Sequence, residues 1–131
     1  MSLQVGFNLI VINHRNITMF KSERYFRLWG YSPSFETLII RSEKQEVDVL
    51  YPTKYIPNNT IDIEFSGVSF ISLPNEFREG LNIVKKGNKY FFNENQYVEA
   101  TFCQIGISQW DESKDRITDF SNTYEQVILQ F

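Results

Sequence analysis

The chain has few of the residue types on which catalysis, metal binding and cross-linking most often depend. Its 131 residues include one cysteine, Cys103, and one histidine, His14. A single cysteine excludes a disulfide within the chain and favours a reducing compartment. A Ser-His-Asp or Cys-His arrangement would have to use His14, which lies in a polar, turn-like segment. One histidine and one cysteine far apart in the chain give no zinc-ligand spacing, so we expect neither a metal nor any other cofactor.

Glycine-rich loops, basic runs and long apolar runs are also missing. The six glycines lie apart, so the chain has no phosphate-binding loop of the P-loop or dinucleotide kind. The net charge is −3 and no basic patch stands out, which argues against a nucleic-acid partner. The apolar run at residues 9–12 is too short to span a bilayer, and the start of the chain lacks the basic region of a signal peptide. We therefore expect a soluble cytoplasmic protein with no membrane association.

What the chain does contain is typical of a β-sheet protein. Hydrophobic residues make up 42% of the sequence, and twelve Phe and seven Tyr give it a high aromatic content. Aromatic and β-branched residues suit a pleated, half-buried surface. The length fits one domain, residues 1–131, that is large enough to bury a core without a metal or a disulfide.

Residues 61–74, IDIEFSGVSFISLP, carry the clearest pattern. Apolar and polar residues alternate as far as Ser66, which is the period of a strand with one buried face and one wet face. At Gly67 the alternation slips, and Pro74 ends the segment because proline cannot donate a ladder hydrogen bond. We interpret it as one long central strand, bulged or bent at Gly67, where glycine tolerates a left-handed backbone. Residues 97–107 shift phase in a similar way, so we expect the sheet to bend where both strands do.

Further strands are predicted from alternating or continuous apolar residues bounded by turn residues. They cover residues 3–12, 35–41, 46–51, 81–85, 89–92 and 124–131, with the second and third forming a hairpin and a loop at residues 52–59.

Three segments have helical features. In residues 22–29, aromatic and apolar residues recur three and four positions apart, with Ser22 as a cap and Gly30 as the terminating glycine. Residues 108–119 carry a charged pair at helical spacing, and residues 75–80 could form one helical turn. The whole pattern predicts a mainly β fold: a curved antiparallel β-sandwich or barrel of about seven or eight strands with one or two short helices.

Seven residues are candidates for a binding site. Aromatic side chains at predicted element ends or in loops can be exposed, and Tyr and Trp are favoured at interfaces. Two aspartates in the most polar segment would share one face of the predicted helix. The plainer alternative stays open, in which the aromatics cover the core and the acids form a solvated surface. The candidates are Trp29, Tyr31, Tyr51, Tyr55, Trp110, Asp111 and Asp115.

No motif identifies a family or a reaction, so function is a hypothesis drawn mainly from what is missing. The leading hypothesis is a non-catalytic domain that binds a protein partner or forms a homodimer. One form of it is an inhibitor of a basic partner, such as the immunity protein of a bacterial nuclease toxin, since an acidic surface would speed the encounter.

Two other classes of function compete with this hypothesis. Long bent strands lined with Phe and Ile could close into a barrel that holds a small apolar ligand. A hydrolase that uses carboxylates alone is less favoured. Asp62 and Glu64 lie on the polar side of one strand, but ordinary solubilising alternation explains them.

Overall fold

In the computed structural model, the chain forms two antiparallel β-sheets packed as a sandwich. The structure describes residues 2–6, 9–14, 17–44, 59–109, 124 and 126–131, and these residues form thirteen strands, numbered in chain order. The predicted β-sandwich is confirmed. The described residues contain more and shorter strands than the seven or eight predicted, because three predicted strands are broken into two and three further strands form where none was predicted.

The first sheet has seven strands. They are β1 (Ser2–Gly6), β2 (Leu9–His14), β3 (Ile17–Ser22), β7 (Phe70–Ser72), β9 (Leu81–Lys86), β10 (Lys89–Phe91) and β11 (Tyr97–Glu99). Their spatial order is β1-β2-β3-β9-β10-β11-β7.

The second sheet has six strands. They are β4 (Phe26–Ser32), β5 (Thr37–Ser42), β6 (Asn59–Ser66), β8 (Glu76–Phe77), β12 (Phe102–Gln109) and β13 (Gln126–Gln130). Their spatial order is β13-β12-β6-β5-β4-β8. This sheet carries the candidate site on the face that points away from the core.

One hydrophobic core lies between the two sheets. Phe20 and Tyr90 of the seven-stranded sheet and Ile63, Phe65 and Ile105 of the six-stranded sheet are fully buried in it. The rings of Phe65 and Tyr90 meet edge to face with centroids 5.2 Å apart, an arrangement that aromatic pairs prefer. The contact joins the two sheets directly.

The two long predicted strands each pass from one sheet to the other. Residues 61–74 contain most of β6 and all of β7, and residues 97–107 contain β11 and most of β12. β6 pairs with β12 and β7 with β11, so the two segments cross between the sheets side by side. Gly67 has a φ of +66°, and the backbone N–H of Thr101 donates to the carbonyl oxygen of Ser66 at 3.0 Å. Both segments are irregular where the alternation slips, but the prediction of one long strand in a bent sheet is wrong, because each segment forms two strands that belong to different sheets.

The helix predicted over residues 22–29 is wrong, because β4 occupies Phe26–Ser32. The misleading spacing joined side chains from the two faces of the strand. Phe26 is buried in the core, whereas Trp29 lies beside Arg27 and Arg41 on the outward face. The register to β5 also shifts between Leu28 and Gly30, so Trp29 is an extra residue in the strand, a β-bulge.

Three other predicted elements also differ. The strand over residues 3–12 is a hairpin of β1 and β2, in which Val5 pairs with Ile10. The helical turn over residues 75–80 is replaced by the short strand β8, which pairs with β4. A helix starting at Ser108 is excluded because Ser108 lies within β12. The predicted strand 46–51, nearly all of the loop 52–59 and residues 110–119 of the second helix lie outside the described residues.

The remaining strand predictions are confirmed at their positions. Residues 35–41 correspond to β5, 81–85 to β9, 89–92 to β10 and 124–131 to β13, each within about two residues at either end. Where the chain is described, no helix combines the length and the apolar character needed to cross a bilayer.

Candidate functional site

A row of three charged residues crosses the outward face of the six-stranded sheet. Arg27 on β4 pairs directly with Arg41 on β5, and Arg41 pairs with Asp62 on β6. These side chains point outward because Ile40, Ile61 and Ile63 alternate with them and fill the core. Like charges placed directly opposite each other repel, so the Arg27–Arg41 pair needs compensation from its surroundings.

Trp29 supplies part of that compensation. The Cζ atoms of Arg27 and Arg41 lie 5.1 Å and 4.9 Å from the centroid of the Trp29 ring. A guanidinium at this distance is attracted by the ring, by about 0.5–2 kcal/mol depending on exposure. Trp29 stands two positions after Arg27 in β4, and alternation along a strand places both side chains on the outward face.

A cleft of about 360 Å³ lies beside this cluster. It is close to the lower end of the size range of ligand pockets. Three of its lining side chains are cationic and one is acidic. The lining residues are Tyr25, Arg27, Trp29, Arg41, Ser42, Glu43, Lys44 and Thr60.

Two polar atoms in the cleft lining are buried and have no hydrogen-bond partner among the described residues. They are Nε1 of Trp29 and Oγ1 of Thr60. Thr60 is only 2% exposed, although it lies on the outward face of β6. A buried polar group left without a partner costs about 1–3 kcal/mol, so such atoms are uncommon and mark places where a water or a ligand can be held.

The floor of the cluster is a buried ion pair. Arg41 donates from Nε to Oδ1 of Asp62 at 2.8 Å and from Nη2 to Oδ2 at 2.9 Å. Arg41 is 7% exposed and Asp62 2%. The solubilising role expected for Asp62 is therefore wrong, because this carboxylate is shielded from solvent. The two parallel bonds hold the guanidinium in one orientation beside Trp29.

Tyr124 extends the polar network along the same face. Its hydroxyl donates to Oε2 of Glu64 at 2.8 Å. Burial, together with the negative charges of Asp62 and Glu64, raises the pKa of Tyr124 well above its usual range. A Cβ atom on Gly106 would lie 2.3 Å from Cγ of Tyr124, so only glycine allows this ring to pack on β12. Asp62 and Glu64 are thus both engaged in contacts within the protein.

Tyr25, at the rim of the cleft, is hydrogen-bonded to the carboxylate of Glu76 on the short strand β8. Its hydroxyl donates to Oε2 of Glu76, and Nε of Arg78 donates to Oε1 of the same carboxylate at 2.6 Å. The hydrogen bond to Glu76 raises the pKa of Tyr25, and the bonds from Tyr25 and then Arg78 lower the pKa of Glu76. Tyr25 therefore presents a neutral hydroxyl group and an aromatic ring at the rim.

The described residues that line this cleft include no cysteine and no histidine. Cys103 is completely buried in the core, and burial raises the pKa of its thiol well above the usual range. This is the inert structural thiol that its apolar strand predicted. Within the described ranges, no group of three or more His, Cys, Asp or Glu side chains is placed to hold a metal ion.

The structure describes two of the seven predicted site residues. Trp29 lies in the cleft, and Tyr31, on the same strand, is 43% exposed. The other five lie outside the described residues: Tyr51, Tyr55, Trp110, Asp111 and Asp115.

Sequence reasoning missed the charged part of the site. Arg27, Arg41 and Thr60 belong to three different strands, and only the strand order brings them together. One signal was available in the sequence: Arg41 ends the apolar segment LIIR, where a charged residue in a buried strand implies a partner. That signal indicates an ion pair but does not identify the partner.

A second cleft of about 390 Å³ lies at the seven-stranded sheet, near Val84, Phe91 and Phe92. The neighbouring aromatic rings pack on each other and on lysines. Phe91 and Tyr97 have centroids 5.3 Å apart, and Nζ of Lys86 lies 5.8 Å from the Phe91 ring. Both of the unpartnered polar atoms described above belong to the first cleft, which is therefore the stronger candidate for a binding site.

No protein-family model matches the chain, and comparisons with curated proteins and with solved structures found no significant match.

Proposed function

We propose that the protein is a non-catalytic domain that binds a protein partner through the cleft around Trp29. The observation that carries the proposal is the composition of this cleft. Tyr25, Arg27, Trp29 and Arg41 are of the three residue types, Tyr, Trp and Arg, that dominate binding energy at protein interfaces.

The contacts of two acidic side chains and the burial of the cysteine also support a binding function over a catalytic one. Asp62 is paired with Arg41, Glu64 accepts a hydrogen bond from Tyr124, and Cys103 is buried. A carboxylate that acts as an acid or base must reach a substrate, and these acids contact the protein itself.

The alternative of a barrel with an apolar ligand pocket receives less support. In the described part of the chain, the space between the sheets is filled by packed side chains such as Phe65, Tyr90 and Phe92. The Trp29 cleft is lined by charged and aromatic residues, which suits a polar group of a partner better than an apolar molecule. The proposal includes a cytoplasmic location, in keeping with a single buried Cys103 and no disulfide.

The test is capture of a partner by the tagged full-length chain from an extract of its host. We expect a stoichiometric partner to bind the wild type, to be lost from Trp29→Ala, and to be retained by Phe70→Ala. Phe70 is a matched control because it is an exposed aromatic residue on the other sheet. Circular dichroism melting would confirm that each variant is folded.

Two results would overturn the proposal. One is a chain that is monomeric by light scattering and captures no stoichiometric protein. The other is a partner that binds folded Trp29→Ala as well as the wild type. A concentration-dependent dimer that Trp29→Ala dissociates would instead identify the partner as a second copy of this chain.

A further inference from the structure

We propose that the Trp29 cleft binds a carboxylate from an acidic segment of the partner, with Arg27 as its main ligand; this rests on the proposed function. The first reason is that the two unpartnered atoms of the cleft lining and the guanidinium of Arg27 can all donate hydrogen bonds. The indole Nε1 of Trp29 and the guanidinium of Arg27 can only donate, and the hydroxyl of Thr60 can donate as well. An ionised carboxylate only accepts, so it complements this set.

The second reason is the charge of Arg27. Its partner across the strands, Arg41, is already bound by both oxygens of Asp62. Arg27 is exposed and makes no ion pair with an acidic side chain of the described residues. A carboxylate can take two parallel hydrogen bonds from one guanidinium, which is the geometry for which arginine is favoured.

The third reason is that the geometry disfavours other ligands. Both guanidinium groups lie within 5.1 Å of the Trp29 centroid, so they occupy the ring that a cationic or flat apolar ligand would use. The Arg27 side chain is exposed and lies over the indole. It can therefore move with an entering carboxylate and bring it toward the shielded Nε1 and Oγ1 atoms.

A carboxylate site in the cleft restricts the chemistry of the partner segment that can bind there. The whole chain carries a net charge of −3, which would steer it toward a basic surface. The cleft has the opposite character, with three cationic lining residues and one acidic. Overall charge governs the speed of encounter, whereas groups in the contact decide what is recognised. The partner segment that enters the cleft is therefore acidic, even where the rest of the partner's surface is basic.

Nuclear magnetic resonance of the indole N–H groups provides a direct test. The chain has two tryptophans and hence two indole signals, which Trp29→Phe would assign. We expect a blocked tetraglutamate peptide to shift the Trp29 signal in a saturable way, and added salt to weaken the effect. Arg27→Gln should weaken binding by about tenfold, the effect of losing one charge-assisted pair. A blocked tetralysine peptide should leave the signal unchanged.

The opposite results would overturn the inference. They are an unmoved Trp29 signal, equal affinity in Arg27→Gln, or an equal response to tetralysine. A response to inorganic phosphate without one to tetraglutamate would assign a general anion site and exclude the carboxylate.

The capture experiment separates the failure of this inference from that of the proposed function. A partner that is lost from Trp29→Ala but binds Arg27→Gln unchanged would show a protein-binding cleft that does not use a carboxylate. Tetraglutamate binding without any captured protein would show a carboxylate site in a chain that has no protein partner.

Discussion

Gly67 and Thr101 touch where two strands cross between the sheets. A Cβ atom placed on Gly67 would lie 2.5 Å from Oγ1 and 2.9 Å from Cβ of Thr101. The N–H of Thr101 also donates to the carbonyl oxygen of Gly67 at 3.3 Å. The crossing thus needs glycine for two reasons, the left-handed backbone and the lack of space.

Gly87 allows these two reasons to be separated. It has nearly the same φ, +65°, but a Cβ atom placed there meets nothing within 4 Å. Gly87→Ala should therefore cost only the left-handed conformation, about 1–2 kcal/mol. Gly67→Ala should cost at least about 1 kcal/mol more, since contact with Thr101 forces one of the two strands to shift. Urea unfolding of both variants measures the difference, and equal losses would show that the crossing is not tightly packed.

The Arg41–Asp62 pair should behave as a buried ion pair. Asp62→Ala leaves the Arg41 guanidinium buried without its carboxylate, and we expect it to destabilise the fold by about 3–5 kcal/mol. The double variant Arg41→Met/Asp62→Leu should recover part of that loss, because apolar residues of similar size need no pairing.

The control for this prediction is the ion pair between Arg78 and Glu76, in which the Arg78 side chain is 78% exposed. Arg78→Ala should change the free energy of unfolding by no more than about 1 kcal/mol. If Asp62→Ala cost as little as Arg78→Ala, the buried pair would not be the support of the cleft that its geometry indicates.

Tyr90 gives a prediction for alkaline pH. Its hydroxyl lies in the core with no hydrogen-bond partner among the described residues. Burial, and to a lesser extent the nearby Cys103, raises its pKa from 10.0 to about 12. The folded state therefore holds this proton more tightly than the unfolded state. Its contribution to stability is fully present below pH 10.0 and is lost as the pH rises through about 12.

Tyr90→Phe should remove this part of the alkaline loss, while the loss due to Tyr124 remains. At neutral pH the variant should be as stable as the wild type or more stable, because it removes an unpartnered buried hydroxyl and keeps the ring. Urea unfolding at neutral and alkaline pH tests both statements. Tyr97→Phe, on the outward face of β11, is the matched control. A Tyr90→Phe variant that is clearly less stable at neutral pH would show that the hydroxyl has a partner in solution.

The errors in the predicted elements have one physical source. Residues 22–29 were predicted as a helix because aromatic residues lie on both faces of β4, with Phe26 in the core and Trp29 on the outward face beside a β-bulge. Residues 3–12 were predicted as one strand because Leu3, Val5 and Leu9 belong to an alternation that continues past Gly6, although Gly6 pairs with Leu9 in the β1–β2 hairpin. In both places a local irregularity is stabilised by strand pairing, and pairing partners are not visible in local sequence.

The candidate site likewise contains some residues that were predicted from the sequence and some that were not. Trp29 and Tyr31 were predicted as binding residues from their type and their position at the end of an element. Arg27, Arg41, Thr60 and Asp62 were not, because their significance depends on the neighbouring strand. Asp62 shows this most clearly: alternation placed it correctly on the outward face of its strand, and only the adjacent Arg41 makes it a buried ion pair.

The sequence by itself determined the period-two strands, the irregularity at Gly67, the buried thiol of Cys103 and the mainly β fold. Each of these depends on side-chain alternation or on backbone freedom, which are properties of neighbouring residues in the chain. Only the tertiary structure decided that β4, β5 and β6 lie side by side, and hence that Arg27, Arg41 and Asp62 form one row beneath Trp29. Strand order follows from how the sheets pack over the whole core, and no local pattern encodes it.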